Sequence, residues 1–146
     1  MKTFQELLEF GQRYEKETLK YLMYDSYEFS VGAFKEWDFK IMKDNVETYY
    51  EVKTELNCFK YGNILVEFEK CNGTKTCISA TTADMWVHYA IKDVEKNIYE
   101  VRFIPVKDLK KMIEDKKYHK IVMVNMALCY IFKMSLFDKY KIPSKI

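Results

Sequence analysis

Three charged residues, Asp38, Glu51 and Lys53, have the types and the spacing needed to hydrolyse a phosphodiester. They lie in two strand-like segments that a short polar turn separates. Side chains alternate between the two faces of a strand, so Glu51 and Lys53 project from one face and Val52 from the other. If the two segments pair as a hairpin, Asp38 comes beside them. Two carboxylates can then hold a hard divalent cation while the ammonium polarises a water molecule.

The elements that must position these residues follow from periodicity and from turn signals. The patterns predict strands at 36–42, 48–55, 64–69, 97–104 and 121–124, and helices at 2–24, 81–91 and 106–116. The stretch 125–132 fits both a strand and a loop, and the tail 135–142 reads as a loop or a last short turn. This order of helices and strands indicates an α/β layer built on a mixed central sheet.

The first predicted helix carries an acid within a mostly apolar face. Spacings of three and four place Glu15 in line with Phe4, Leu8, Thr18 and Leu22. A carboxylate that faces inward is costly unless it is paired or bound to a cation, so Glu15 calls for a partner. The alternative is that Glu15 lies at the edge of the face and reaches water, or pairs with a buried basic residue.

Composition narrows the class of protein without selecting one. The 146 residues are 49% hydrophobic with few Pro and Gly, which favours one globular domain over residues 1–146. The net charge of +2 is too small to indicate a nucleic-acid binder by itself. No apolar run approaches a bilayer span and no signal-peptide core precedes the first helix, so we expect a cytoplasmic protein without membrane contact.

The cysteines and histidines form no compact zinc pattern. None of the four cysteines belongs to a CxxC pair, and His88 and His119 are far apart in the chain. Cys71 and Cys77 flank a turn and could meet across a hairpin, but free thiols are expected in a reducing cytosol.

A family resemblance rests on these segments. The chain from Asp38 to Lys53, with Asp-Phe-Lys-Ile followed by Tyr-Glu-Val-Lys-Thr, resembles the signature of the PD-(D/E)xK nuclease superfamily, which includes restriction endonucleases, phage exonucleases and archaeal Holliday-junction resolvases. Gly-Gln-Arg-Tyr-Glu at 11–15 looks like the helix that brings a further acid to the metal site in such proteins. The stretches 62–69 and 81–86 are similar to a phage and viral branch of small nucleases. The resemblance covers about residues 11–105, and the chain departs from the fullest pattern in having no Pro before Asp38.

The resemblance implies a mixed central sheet flanked by helices, with a restriction-endonuclease-like core. It implies that Asp38 and Glu51 bind Mg²⁺, with Mn²⁺ as a substitute, and that the carbonyl oxygen of Val52 is a further ligand. Lys53 would orient the attacking water and help to deprotonate it, and Glu15 would act through a metal-bound water or bind a second ion.

Each assignment has an ordinary structural alternative. Asp38 could be a charge at a strand edge and Lys53 an exposed partner of an acid on the next strand. Glu67 could be a fourth acid at the site or could face solvent. Asp44 is the rival metal-binding aspartate, although a residue in this turn more often accepts a local hydrogen bond.

Lysines supply the predicted contacts to DNA. Lys75 lies at a hairpin tip, and a basic stretch follows in the second half of the chain, comprising Lys107, Lys110, Lys111, Lys116, Lys117 and Lys120. Such residues track phosphate groups or form the solvated face of a helix. The residues expected to bind DNA are Lys75, Lys107, Lys110 and Lys111.

We therefore expect a Mg²⁺-dependent deoxyribonuclease, with branched or recombination-related DNA as its candidate substrate. The alternatives are a catalytically silent DNA-binding or assembly subunit of the same fold and a restriction-type, sequence-specific endonuclease. A homodimer is expected because a two-fold pair of sites matches two DNA strands of opposite polarity. The tail from Met134 to Tyr140, with Leu136 and Phe137, is the candidate contact, unless it folds back on its own sheet.

Overall fold

The computed structural model describes residues 3–32 and 36–143, apart from the side chain of Phe4. The helices are α1 (Phe4–Leu19), α2 (Cys58–Tyr61) and α3 (Val106–Glu114), with 3-10 helices at Cys77–Ser79 and Met134–Tyr140. The strands are β1 (Ser26–Phe29), β2 (Phe39–Lys43), β3 (Val46–Glu55), β4 (Asn63–Lys70), β5 (Met85–Asp93), β6 (Ile98–Pro105), β7 (Lys120–Val124) and β8 (Ala127–Lys133). None of the helices in these ranges has the length and the apolar character to cross a membrane.

The strands form two sheets. The larger sheet has the order β1-β2-β3-β5-β6, in which β3 and β5 run parallel and the other neighbours are antiparallel. The smaller sheet is antiparallel, with the order β4-β8-β7. The predicted α/β class and the mixed central sheet are therefore confirmed. The restriction-endonuclease-like core stays a prediction.

A two-residue turn joins β2 to β3 and sets their register. Lys43 pairs with Val46, and the intervening Asp44 and Asn45 have φ values of 51° and 63°. Two residues with positive φ form a type I′ turn, whose twist suits an antiparallel hairpin. The strands thus extend into the predicted turn 43–47. Asp44 lies at the tip of the hairpin, whereas Asp38 precedes β2 at the opposite end, which removes Asp44 as the rival for the site.

The helix predicted at 81–91 is wrong, because residues 85–91 belong to β5 and residues 81–84 precede it outside any helix. Val87, Tyr89 and Ile91 pack in one core cluster, while Trp86 and Ala90 pack in another. Both faces of this central strand are covered, so its sequence shows a continuous apolar run and no alternation. The run resembles a buried helix in sequence although its aromatic and branched residues favour a strand.

Helix α1 begins with a capping box at Thr3 and Glu6, in which each side chain accepts a hydrogen bond from the other residue's backbone N–H. It ends at Leu19, earlier than the predicted Tyr24. Its buried face includes Tyr14 and Thr18, whereas Leu8, predicted to face inward, is exposed. The helix contacts β3 and packs on the face of the larger sheet that carries Phe39, Tyr50 and Val87.

The second face of the larger sheet packs on the smaller sheet and α3. Its core includes Trp86, Ile104, Val66, Leu109 and Phe132. The tail joins this core through Phe137, which is buried and lies 5.3 Å from Phe132 between ring centroids. The tail therefore folds back on its own domain core, and Phe137 does not supply the exposed aromatic contact considered for a dimer.

Candidate functional site

Asp38 is held at the point where β2 begins to pair with β3. Its backbone N–H donates to the carbonyl oxygen of Tyr50 at 2.8 Å, and its Oδ2 accepts a hydrogen bond from the backbone N–H of Val52 at 2.7 Å. Asp38 is only 6% exposed. The carboxylate is thus fixed against the segment of β3 that carries Glu51 and Lys53. This is the hairpin arrangement that the sequence predicts.

Glu51 and Lys53 form an ion pair on one face of β3. Lys53 Nζ lies 3.1 Å from Glu51 Oε1, and the side chains of Lys53 and Glu51 are 32% and 10% exposed. The register pairs Glu51 with Trp86 on β5, and the ammonium lies 5.5 Å from the Trp86 ring centroid. The indole therefore forms an apolar wall beside the two charges, which strengthens the electrostatic interaction between them.

The charges around Lys53 keep its side chain protonated. Burial by itself would lower the pKa of the Lys53 ammonium. The Glu51 and Asp38 carboxylates more than offset this effect and hold that pKa well above its usual range. Lys53 is therefore a cation at neutral pH and is close enough to Asp38 to sense its charge.

Sequence reasoning missed Cys77 as a neighbour of Lys53. Lys53 Nζ donates to Cys77 Sγ at 3.3 Å, and Cys77 Sγ donates to Glu67 Oε2 at 3.3 Å. Glu67 is thus linked to Lys53 through the thiol, on the site's side of β4, rather than being a purely solvent-facing acid. Burial raises the pKa of the Cys77 thiol to about 11, so the sulfur stays protonated. No local motif marks Cys77, because a 3-10 helix brings it to β3 from 24 residues away.

Glu15 is buried, as its position in the apolar stripe predicts, with 8% exposure. It lies on α1, whose neighbouring Tyr14 packs on the face of the sheet opposite to Glu51 and Trp86. Its role as a further metal-binding acid stays a prediction.

A second group of polar side chains lies farther along β3 and could hold a metal ion. The ligand atoms of Glu55, Cys58 and His88 lie within 4.8 Å of one another. We call these three residues the Glu55 cluster. Cys58 and His88 are fully buried. Sequence spacing gave no sign of this group, since parallel pairing of β3 with β5 brings His88 to it from 30 residues beyond Cys58.

The predicted DNA-binding lysines are partly brought together. Lys75 and Lys110 line a cavity of about 320 Å³ with Ile78, Ile113 and Tyr130. Lys107 and Lys111 are exposed elsewhere on α3, and Lys111 pairs with Asp115 at 2.9 Å. Lys75 pairs with Glu69, which neutralises part of its charge.

The 3-10 helix Cys77–Ser79 links the lysine-lined cavity to Asp38, Glu51 and Lys53, which we call the hairpin site. Ile78 lines the cavity and directly follows Cys77, whose sulfur contacts Lys53.

Comparisons of the chain with protein-family models, with curated proteins and with solved structures give no match. The nuclease resemblance therefore depends on the motif and on the geometry described above.

Proposed function

We propose that this protein is a metal-dependent nuclease that hydrolyses DNA phosphodiester bonds at Asp38, Glu51 and Lys53. The observation that carries the proposal is the fixed carboxylate of Asp38 beside the Glu51–Lys53 ion pair. Two acids of low exposure next to one ammonium leave an excess of negative charge on a partly apolar wall. Such a place favours a divalent cation.

The donors present fit Mg²⁺. Carboxylate oxygens of Asp38 and Glu51 are hard ligands, and the backbone carbonyl of Val52 is a further oxygen on the same strand segment. Mn²⁺ accepts the same donors and would be a substitute. When bound, the ion supplies charge stabilisation at the phosphate and lowers the pKa of a nearby water. The role of the chain is to hold these oxygens in position before the substrate arrives.

Lys53 acts as a fixed positive charge. The ammonium stabilises negative charge that develops on the attacking oxygen and on the phosphate. The family resemblance implies that Lys53 also orients the attacking water and helps to deprotonate it. The Lys53 ammonium is held by two contacts: Nζ lies 3.3 Å from Cys77 Sγ and 3.1 Å from Glu51 Oε1.

The DNA would lie across the cavity that Lys75 and Lys110 line. Phosphate groups are attracted by these ammonium groups. Branched DNA is the substrate class that we favour, because the motif resembles that of a superfamily that includes Holliday-junction resolvases. The protein would work as a homodimer in the cytoplasm, where its four free cysteines remain thiols.

The experiment is a cleavage assay on defined DNA. Purified protein is incubated with linear, nicked, flapped and four-way junction DNA in Mg²⁺, in Mn²⁺ and in EDTA. We expect metal-dependent cleavage, with junction DNA cut by symmetry-related nicks. The double variant Asp38→Asn with Glu51→Gln is the control for contaminating nucleases.

Two results would count against the nuclease assignment, and a third would count against the junction substrate. Equal cleavage by the parent and the double variant would assign the activity to a contaminant. Metal-dependent binding of DNA without cleavage of any substrate would favour the silent DNA-binding subunit. Degradation of linear DNA from its ends by a monomer would keep the nuclease and remove the junction substrate.

A further inference from the structure

The Glu55 cluster lies where three elements meet. Glu55 is the last residue of β3, Cys58 is the first residue of α2, and His88 is in the middle of β5. Only two residues separate Glu55 from Cys58, so the chain turns sharply between the two side chains. The cluster is distinct from the hairpin site, whose Glu51 and Lys53 precede it on β3 and whose Asp38 precedes β2.

Hydrogen bonds hold the Glu55 carboxylate in a defined position. Its Oε1 accepts a hydrogen bond from the backbone N–H of Leu65 at 2.8 Å and lies 2.8 Å from Nε2 of His88. The other ring nitrogen of His88, Nδ1, is buried and has no hydrogen-bond partner within the described ranges. The buried His88 ring is therefore incompletely hydrogen-bonded, and Nε2, which faces Glu55 Oε1, is the nitrogen that an ion between the two side chains would bind.

The chemistry of the three donors selects a class of ion. A thiolate, an imidazole and one carboxylate suit ions of intermediate softness such as Zn²⁺, whereas Mg²⁺ and Ca²⁺ require mainly oxygen donors. The negative charges of the Glu55 carboxylate and the Cys58 thiolate balance a divalent ion, so the occupied site would bury no net charge of its own.

Two basic residues flank His88 on the neighbouring strands. Lys53 and Arg102 are its register partners on β3 and β6. Lys53 forms an ion pair with Glu51. Nη2 of Arg102 donates hydrogen bonds to Glu100 at 3.0 Å and to Asp138 at 3.2 Å. Both cations therefore have carboxylate partners of their own, and the Glu55 carboxylate is left to the cluster.

We propose that Glu55, Cys58 and His88 bind one zinc-class divalent ion at a site separate from the hairpin site. The ion ties the end of β3 to α2 and to β5. Cys58 loses its thiol proton to solvent as the sulfur–metal bond forms, and His88 binds as the neutral ring. Water completes the coordination from the side on which the Glu55 side chain is 17% exposed.

The test measures metal binding, so it does not depend on any activity toward DNA. The full chain is freed of metal with a chelator, returned to metal-free buffer and titrated with Co²⁺. We expect a thiolate-to-cobalt charge-transfer absorption that saturates at one equivalent and is abolished by one equivalent of Zn²⁺. A spectrum without a thiolate band would overturn the proposal, because it excludes Cys58 as a ligand.

Single substitutions test whether the ion binds at the Glu55 cluster. Cys58→Ala and Glu55→Gln should each weaken Zn²⁺ binding by roughly 100-fold or more, since loss of even an outer-shell partner costs about 10–100-fold. Cys129→Ala removes another buried thiol, and Asp38→Asn removes a proposed Mg²⁺ ligand; both should bind Zn²⁺ like the parent.

Glu55→Gln is the safer variant, because it keeps an oxygen to accept the Leu65 hydrogen bond. If Cys58→Ala does not fold, the Zn²⁺ affinity of Glu55→Gln and the cobalt spectrum of the parent protein together decide whether the cluster binds the ion. Unchanged Zn²⁺ affinity in a folded Glu55→Gln variant would remove Glu55 from the site and overturn the proposed ligand set.

Discussion

The sharpest prediction concerns Asp38, because two substitutions there separate its structural role from its chemical role. Asp38→Asn keeps an oxygen that can accept the 2.7 Å hydrogen bond from Val52 N–H but removes the charge. Asp38→Ala removes both. We expect each variant to lose roughly 1,000-fold or more in Mg²⁺-dependent cleavage, which corresponds to about 4 kcal/mol of transition-state stabilisation.

Their stabilities should differ. Asp38→Ala leaves a backbone N–H of β3 without its acceptor, and hydrogen bonds to charged groups contribute roughly 1.5–3 kcal/mol. For a chain of this size each kcal/mol shifts the melting temperature by about 2–4 °C, so Asp38→Ala should melt about 3–12 °C below the parent. Asp38→Asn should melt within a few degrees of the parent in EDTA.

The shift in melting temperature caused by Mg²⁺ is an independent measure of whether Asp38 binds the ion. At ten times its dissociation constant, an ion that binds only the folded protein stabilises it by about 1.4 kcal/mol, or about 3–6 °C. Scanning calorimetry with Mg²⁺ and with EDTA should show this shift in the parent and not in Asp38→Asn.

Asp84→Asn is the matched control for Asp38→Asn. Asp84 also accepts a hydrogen bond from a backbone N–H of β3, that of Tyr49 at 2.9 Å, but it is exposed and outside the proposed site. Cleavage within tenfold of the parent in Asp38→Asn, or an equal loss in Asp84→Asn, would refute the assignment of Asp38 as a metal ligand.

Three further predictions address the neighbours of the site. Lys53→Ala should lower turnover by roughly 100-fold or more with little change in Mn²⁺ affinity by calorimetry, because the ammonium acts in the transition state; weaker Mn²⁺ binding with normal saturated turnover would reverse this role. Burial raises the pKa of Cys77 and of Cys129 to about 11, so about one such thiol in 1,000 is ionised at pH 8. The exposed Cys71 should therefore react first with iodoacetamide by mass spectrometry, and rapid labelling of Cys77 would contradict its buried contact with Lys53. Lys110→Ala should weaken DNA binding and reduce its salt dependence by about one phosphate contact, whereas Lys43→Ala, at the far end of the hairpin, should not. Equal effects of the two substitutions would remove the cavity from the DNA-binding surface.

Local patterns in the sequence were sufficient for the hairpin that carries Asp38, Glu51 and Lys53. Alternation set the faces of β3, and the polar turn set its pairing with β2, so the neighbours could be inferred from residues less than 20 apart. For Glu15, helical spacing left two placements open, facing inward or at the edge of the apolar face, and the structure shows that the side chain is buried. These inferences succeed because hairpins and helices depend on short-range geometry.

The identity of β5 depended on tertiary structure. A strand covered on both faces has no alternation, so sequence alone did not distinguish it from a buried helix. Trp86 packs toward the smaller sheet and Tyr89 packs toward α1. A strand places these two side chains on opposite faces of the sheet, as this packing requires.

The sequence by itself determined the type and order of the charged residues on β3 and the α/β class, and it left the burial of Glu15 on α1 open. Only the tertiary structure decided which distant side chains complete each site. Cys77 reaches Lys53 through a 3-10 helix, and His88 reaches Glu55 through the parallel pairing of β3 with β5. A parallel pair needs a long crossover, so its register depends on the packing of the whole intervening chain and leaves no local signal in the sequence.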